Sequence, residues 1–557
     1  MGRRSGAQVL VDQLKIHGAD TVFCVPGESY LAVLDALYDA NSIGLVTCRQ
    51  EGGAAMMADA YGKLTGKPGL CMVTRGPGAS NASAGLHVAM QDSTPLILFI
   101  GQVARDTLER EAFQEIDYRR MFGQFAKWVA QIDDPRRIPE FMSRAFQTAT
   151  SGRPGPVALA LPEDMLTEAV EVADAQPFSP VETAPGAGAM ARFRAMLAAA
   201  KRPFLLLGGG AWDEDAVRAI EAFAAANQLP VGCGFRRQDR FDNGHPCYAG
   251  DVGIGVNPKL GQRIKEADLL IALGSRLGEM TTGGYTLLEI PKPKQPLVHV
   301  HPDPEELGRV YQPTLAINAT PRAFARAAAA LAPIASPVWA AATAAAHGEY
   351  HAWRKPTRSP GEIQMAEIML WLETQLPADA IVTNGAGNFA TWVHRFHQYR
   401  RFGTQLAPTS GSMGYGFPAA LAAKIVHPDR TVLCVAGDGD FLMTGQELAT
   451  AVQRRLGVIV LILNNGMYGT IRMHQERHHP GRVIGTDLHN PDFAALARAY
   501  GAYGEIIART AEFAPAFQRA QAAGGPAILE LRIDPEALTI RQSLSEIRAA
   551  AMAGGHA

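Results

Sequence analysis

The chain has no surplus of charge of either sign. Its 52 Lys and Arg stand against 54 Asp and Glu, a formal net charge of −2 over 557 residues. That balance offers no electrostatic case for a nucleic-acid partner or an anionic membrane surface. Long hydrophobic runs are missing as well. No apolar stretch reaches the roughly 18 residues that a spanning helix needs, and the start, MGRRSGAQVL, has no apolar signal core. A cytoplasmic location without a membrane partner is therefore expected. Cysteine is scarce: the six residues Cys24, Cys48, Cys71, Cys233, Cys247 and Cys434 show no CxxC pair and no His-linked spacing. They read as reduced core residues, not as disulfides or a zinc site. Two nucleotide motifs are absent. Gly66-Lys67 runs into Pro68 and makes no GxxxxGK[ST], and Gly208-Gly209-Gly210 is followed by no GxGxxG. With no acidic residue at the right distance after a second strand, a dehydrogenase reading is poor. No short-period repeat is visible.

What is present is alternation. Up to about residue 162, short apolar strands (21–25, 44–47, 70–74, 96–100, 157–161) are separated by helical stretches such as 30–38 and 54–65. Such alternation predicts a parallel sheet covered on both faces. The length suggests about three domains. Segments 170–187 and 332–359, rich in Pro and Ala, read as linkers, the second partly helical. The fold class expected is α/β, with three doubly wound parallel-sheet domains at 1–170, 188–335 and 358–557. The tail from Ser543 reads as short and Ala-rich.

The stretch 431–465 organises the last domain. An apolar strand breaks at Gly437-Asp438-Gly439, a helix is expected at about 444–455, and a second apolar strand ends at Asn464-Asn465-Gly466. In an open parallel sheet, ligands gather at those strand ends. Asp438 supplies a carboxylate oxygen and Asn465 an amide oxygen, both suited to Mg²⁺ shared with a diphosphate. The alternative is a pair of ordinary turns, since DG and NG are common turn dipeptides. Upstream, Asn384-Gly385-Ala386-Gly387-Asn388-Phe389 follows a short strand, and backbone amides in such a turn suit a diphosphate.

GDG, a spacer of this size and then NN resemble the signature of the thiamine-diphosphate enzymes. The resemblance implies Asp438, the Asn465 side chain and the Met467 carbonyl as Mg²⁺ ligands. Gly387, Asn388, Phe389, Gly437, Gly439, Asp440, Tyr468 and Gly469 would surround the thiamine diphosphate. Arg49-Gln50-Glu51-Gly52-Gly53-Ala54-Ala55 is similar to the family segment whose Glu faces N1′ of the aminopyrimidine. Pro26, Gly27 and Asn81 would lie on the same side of the cofactor. The ordinary reading of Glu51 is a dipole partner at a helix start. Ser410 to Pro418 resembles the family's GxMGxGxP segment. There the Gly411 carbonyl accepts the 4′-amino group and Met413 wedges the cofactor into a V, although a core Met is the commoner case.

Finer features resemble the acetolactate synthase branch: Thr74 to Asn81 (TxGPGxxN), Asp92 to Leu96, Gly101-Gln102-Val103, and Ala112-Phe113-Gln114-Glu115. That branch implies Phe113 and Gln114 in the reaction pocket, with Lys127 as a cation for a 2-oxoacid carboxylate. A lone Lys is more often solvated. Tyr468 to Gln475 is similar to the LGMVxQWQ segment, with His474 replacing the Trp. His478-His479 reads as a solvated loop. In the central domain Gly208-Gly209-Gly210 and Arg276 match the FAD-carrying pattern. Gly253-Ile254-Gly255-Val256 and Arg276 to Met280 depart from it, which weighs against FAD. The function implied is decarboxylation of a 2-oxoacid, pyruvate first among them, with ligation to an acceptor carbonyl. A non-ligating decarboxylase or lyase is the alternative, and a non-catalytic cofactor-binding homologue the rival of another class. A homodimer or homotetramer, with active sites at the subunit interface, is implied too.

Overall fold

The structure is a computed structural model that describes residues 2–554; the last residues of the tail lie outside them. The chain divides into two compact units, Met1–Glu182 and Thr183–Ala557.

The first unit is built on strands β1 (Thr21–Cys24), β2 (Gly44–Thr47), β3 (Gly69–Val73), β4 (Leu96–Gln102), β5 (Trp128–Gln131) and β6 (Pro156–Pro162). They form one parallel sheet in the order β2-β1-β3-β4-β6-β5. Every residue of β3, β4 and β6 is buried, as in a sheet covered on both faces. The edge strand β5 was not expected from the sequence. Its WVAQ run is half-buried and too short and mixed to read as a core strand. Around the sheet lie α1 (Gly6–Ile16), α2 (Glu51–Thr65), α3 (Gly76–Asp92) and α4 (Ile138–Thr150). Helix α2 starts three residues before the expected 54, because Gln50 accepts the Gly53 N–H and caps it. Glu51 through Gly62 are all buried. The close packing of α2 on α3 depends on glycine: a Cβ on Gly85 would come within 2.8 Å of the Ala55 carbonyl carbon.

The second unit carries two six-stranded parallel sheets. The central one comprises β7 (Pro203–Leu207), β8 (Val231–Gly234), β9 (Tyr248–Val252), β10 (Leu269–Leu273), β11 (Leu297–His301) and β12 (Leu315–Asn318), ordered β9-β8-β7-β10-β11-β12. Within 332–359, expected to be mostly linker, helix α5 (Ala340–Trp353) docks on this sheet. Tyr350 packs edge-on against Tyr248 with ring centroids 4.8 Å apart. The alanines favour helix, and buried Thr343, Ala346 and Tyr350 supply the docking face.

The last sheet comprises β13 (Ile381–Asn384), β14 (Gln405–Leu406), β15 (Val432–Gly437), β16 (Val458–Asn464), β17 (Tyr503–Ile507) and β18 (Ala527–Arg532), ordered β14-β13-β15-β16-β18-β17. Helices α6 (Gly416–Val426), α7 (Leu448–Gln453), α8 (Gly469–His478) and α9 (Leu544–Ala553) accompany it. The helix expected at 444–455 is α7 preceded by a 3₁₀ turn, Gly445–Glu447. One further expectation is corrected: His478 ends α8 instead of lying in a loop. The Ala-rich tail forms α9, capped by Ser543 and Glu546. All six cysteines are buried and unbridged. Among the described residues no helix is long and apolar enough to cross a membrane.

Candidate active site

Strands β15 and β16 pair in parallel with Gly437 opposite Leu463. Asp438 and the Asn464-Asn465 pair therefore emerge side by side at the carboxyl end of the sheet. Asp438 and Asn465 border a cavity of about 250 Å³. Its lining includes all thirteen cofactor residues expected from this part of the chain: Gly387, Asn388, Phe389, Gly411, Met413, Gly437, Asp438, Gly439, Asp440, Asn465, Met467, Tyr468 and Gly469. Thr470, Ile471 and Leu538 line it too and were not anticipated.

Glycine keeps this floor low. A Cβ on Gly437 would stand 2.9 Å from the Phe389 ring, and one on Gly439 would stand 2.6 Å from the Tyr468 ring. Gly411 and Gly414 hold φ of +70° and +80°, where glycine is favoured.

Asp438 is 3% exposed. Its Oδ1 accepts the Gly439 N–H at 2.8 Å; its Oδ2 accepts the Gly466 N–H at 2.9 Å and the Asn490 amide at 2.8 Å. Burial pushes its pKa up, and the groups that ease the charge are neutral N–H donors. A buried carboxylate partnered only by neutral donors is poised for a cation. Asn465 and Met467 line the same cavity. Among the described residues no three His, Cys, Asp or Glu gather into a metal cluster. A mixed carboxylate, amide and carbonyl set, completed by phosphate oxygens, is the donor chemistry Mg²⁺ accepts. The residues thus fit a Mg²⁺-diphosphate group.

Asp440 has a different task. Its Oδ1 accepts the Ala386 N–H at 3.0 Å and the Gly414 N–H at 2.9 Å, binding the 386 turn to the 414 turn. Burial raises its pKa to about 7. Asn490 bridges Asp438 and Asn464, and Thr470 exchanges hydrogen bonds with Asn388 at 2.9 and 3.2 Å. Neither residue carries a motif that would have revealed it.

In the first unit, Glu51 opens α2 and is 8% exposed. Its Oε2 accepts the Asn81 amide at 2.9 Å. A Cβ on Gly78 would stand 3.3 Å from its other oxygen. Pro26 is exposed, and Gly27 backs onto Thr74, where a Cβ would meet the Thr74 hydroxyl at 2.7 Å. Phe113 is 71% exposed. Gln114 holds φ +66° and its carbonyl accepts the Gly76 N–H at 2.9 Å. Arg75 spans from Glu163 (2.6 Å) to the Phe113 carbonyl (3.5 Å), which ties this loop down. Lys127 requires correction. Its ammonium donates to the Thr148 and Ser151 carbonyls at 2.5 and 2.6 Å, at the carboxyl end of α4. It caps a helix and is not presented to a ligand.

In the central domain the glycines that match the FAD-carrying pattern are packed against a neighbouring strand end. Gly208 and Gly274 face each other so closely that a Cβ on Gly274 would meet the Pro321 ring at 2.8 Å and collide with the Gly208 carbonyl. The Trp212 indole donates to the Gly208 carbonyl at 2.8 Å. Arg276 lies beside buried Glu306, 3.6 Å away. The glycines serve contact between strand ends.

Parallel-sheet units whose polar residues converge at strand ends over a glycine floor define a cofactor-dependent α/β enzyme. Comparison with known proteins narrows this class. Sequence models match residues 4–121 (thiamine pyrophosphate enzyme, N-terminal TPP binding domain), 190–328 (central domain) and 385–531 (C-terminal TPP binding domain). The chain belongs to the thiamine pyrophosphate enzymes. It is 34% identical over 537 residues to the acetolactate synthase isozyme 2 large subunit of Escherichia coli (strain K12), covering 95% of this chain and 96% of that one. It is 35% identical over 521 residues to the acetolactate synthase large subunit of Parasynechococcus marenigrum (strain WH8102), covering 90% and 83%. The large subunit of Corynebacterium glutamicum (strain ATCC 13032) is 31% identical over 543 residues, covering 93% and 85%.

Proposed function

We propose that this enzyme decarboxylates a 2-oxoacid, pyruvate in the first instance, and ligates the remaining two-carbon unit to an acceptor carbonyl, as an acetolactate synthase-like transferase. The observation that carries the reading is Asp438, a buried carboxylate eased only by neutral N–H donors in a cavity shared with Asn465 and Met467. When bound, thiamine diphosphate supplies a thiazolium carbon that adds to the keto carbon and accepts the electrons left by departing CO₂.

The chain's own residues do the rest. Asp438, Asn465 and Met467 would hold Mg²⁺ against the diphosphate. Asn388, held by Thr470, borders the floor where Gly387, Gly437 and Gly439 leave room for phosphate oxygens. The Gly411 carbonyl would accept the 4′-amino group and Met413 would support the bend. Glu51, oriented by Asn81, would exchange a proton with N1′. Phe113 and Gln114, on the loop tied by Arg75, would face the substrates. We place Glu51 and the metal ligands of one site on different subunits, in a homodimer or homotetramer. Six buried free cysteines suit a reducing cytoplasm.

His474, exposed on α8 with its ring parallel to His478 at 6.2 Å, stands where the branch has Trp. That difference favours, as a second reading, another acceptor or a non-ligating decarboxylase. One experiment tests both readings. The parent enzyme, given pyruvate, thiamine diphosphate and Mg²⁺, is expected to yield 2-acetolactate. Glu51→Gln is expected to keep cofactor affinity by calorimetry while turnover falls roughly 100-fold or more. Acetaldehyde alone would select the decarboxylase, and normal turnover in Glu51→Gln would remove Glu51 from the chemistry.

A further inference from the structure

A feature outside this site carries an independent assignment. Helix α5 places His347 and His351 one turn apart, on the same face. Their Nε2 atoms are 3.0 Å from each other, with ring centroids 4.5 Å apart and planes perpendicular. The Nδ1 of His347 lies 2.9 Å from the Tyr248 carbonyl oxygen on β9. A carbonyl only accepts, so that nitrogen bears the hydrogen and Nε2 of His347 presents a lone pair outward. This is the outer-sphere arrangement that fixes a metal-ligating histidine. His351 is exposed. Burial, His347 and Arg354 lower its pKa, against the opposing charge of Glu373. Arg354 is itself paired with Glu373, which mutes the nearest cation.

We propose that His347 and His351 form a bidentate surface site for a nitrogen-seeking divalent transition ion, Cu²⁺ above all. The 3.0 Å separation is that of a hydrogen bond between the two rings. With metal–nitrogen bonds of about 2.0–2.1 Å, two ligands on one ion need their nitrogens only about 2.9–3.3 Å apart, so small ring rotations admit an ion. Imidazole donors then favour Cu²⁺ over Ni²⁺ and Zn²⁺ by intrinsic affinity. Among the described residues no third His, Cys, Asp or Glu completes a cluster, so water fills the other positions. Without metal, the His351 Nε2–H donates to the His347 lone pair. On binding, that proton shifts through solvent to the exposed Nδ1 of the same ring, and none need be released. The ion then clips one turn of α5, whose His347 is already tied to β9.

The test uses the full chain, treated with chelator, dialysed into Mg²⁺ buffer and titrated with Cu²⁺, Ni²⁺ or Zn²⁺. One Cu²⁺ per chain is expected to bind ahead of Ni²⁺ and Zn²⁺, with a paramagnetic resonance signal split by two nitrogens. The thermal midpoint should rise with Cu²⁺. His351→Ala and His351→Gln should each weaken Cu²⁺ roughly 100-fold, because the second ligand is then lost. Both keep the His347–Tyr248 bond and should leave the circular dichroism unchanged. Equal Cu²⁺ affinity in the parent and in His351→Ala would overturn the site. Zn²⁺ binding tighter than Cu²⁺ would overturn the assignment to Cu²⁺.

Discussion

Single residues decide the cofactor site, and what matters is how few of them are free to vary. Gly437 and Gly439 are pinned by the Phe389 and Tyr468 rings. Asp440 joins two turns, whereas Asp438 emerges at the strand end beside Asn465 and is the carboxylate assigned to the cation. Asp438→Ala should abolish Mg²⁺-dependent binding of thiamine diphosphate, read by calorimetry. Asp440→Ala should instead lower stability by about 1–3 kcal/mol, because two buried N–H groups lose their acceptor, read by urea unfolding. Equal effects of the two substitutions on cofactor affinity and on stability would erase this division of labour. The GDG…NN spacing made Asp438 and Asn465 legible in the sequence, because two strand ends that pair in register must meet. Asn490 and Thr470 were illegible. Their partners lie 26 to 82 residues away, and only the closed fold brings them in. Lys127 misled for the opposite reason: sequence shows a charge but not the two helix-end carbonyls that absorb it.

At the scale of elements, fully buried strands were legible because an unbroken apolar run has nowhere else to go. The edge strand β5 was not, since it buries one side only; α5 was legible as a partly helical stretch, but its docking was not. The least legible element was α9. It packs on α8 through a cluster of Met467, Met473, Leu538, Leu544 and Ile547. Its Arg548 reaches Glu476, whose side chain is fully buried, at 2.5 and 2.7 Å. Arg548 first, then the Gly481 N–H and Arg472, hold Glu476 down to a pKa of about 2, from an ordinary value of 4.5. The folded-state value is the lower one, so the stabilisation is full above about pH 4.5 and lost as pH falls toward about 2. Since Gly469, Thr470 and Ile471 of α8 line the cavity, this clasp steadies the cofactor wall. Glu476→Gln should cost about 2–3 kcal/mol at pH 7. Hydrogen exchange should show α9 deprotected, with parent and variant converging as the pH approaches 2. A gap that persisted undiminished in acid would show that packing, and not this ion pair, holds α9.

On the scale of the whole second unit, the central and last sheets are joined by a buried polar seam. Asp239 Oδ2 accepts three successive N–H groups, from Gly403, Thr404 and Gln405, at 3.1 to 3.3 Å. Gln238 donates to the His394 carbonyl at 2.8 Å, and Arg236 reaches the Pro408 carbonyl. The seam anchors the segment that leads to Gly411 and Met413, so the central domain supports the site by position. It also makes the unit acid-sensitive. His394 and His397 are buried, and each has its pKa pushed from 6.5 down to about 3, by burial first and then by Arg236 or Arg354 respectively. Between those values the unfolded chain holds more protons than the folded one, so stability rises with pH through this window and is lost on acidification. Each histidine should contribute a slope of about 1.4 kcal/mol per pH unit. His394→Phe keeps a ring edge-on to Phe235, where the centroids now stand 5.9 Å apart, and removes one titrating group. Urea unfolding from pH 7 to pH 4 should then give a shallower pH dependence in the variant by that one-proton share, with m-values unchanged. An identical slope in the two proteins would mean that His394 is charged, or reached by water, in the folded enzyme, and the seam would no longer account for its acid lability.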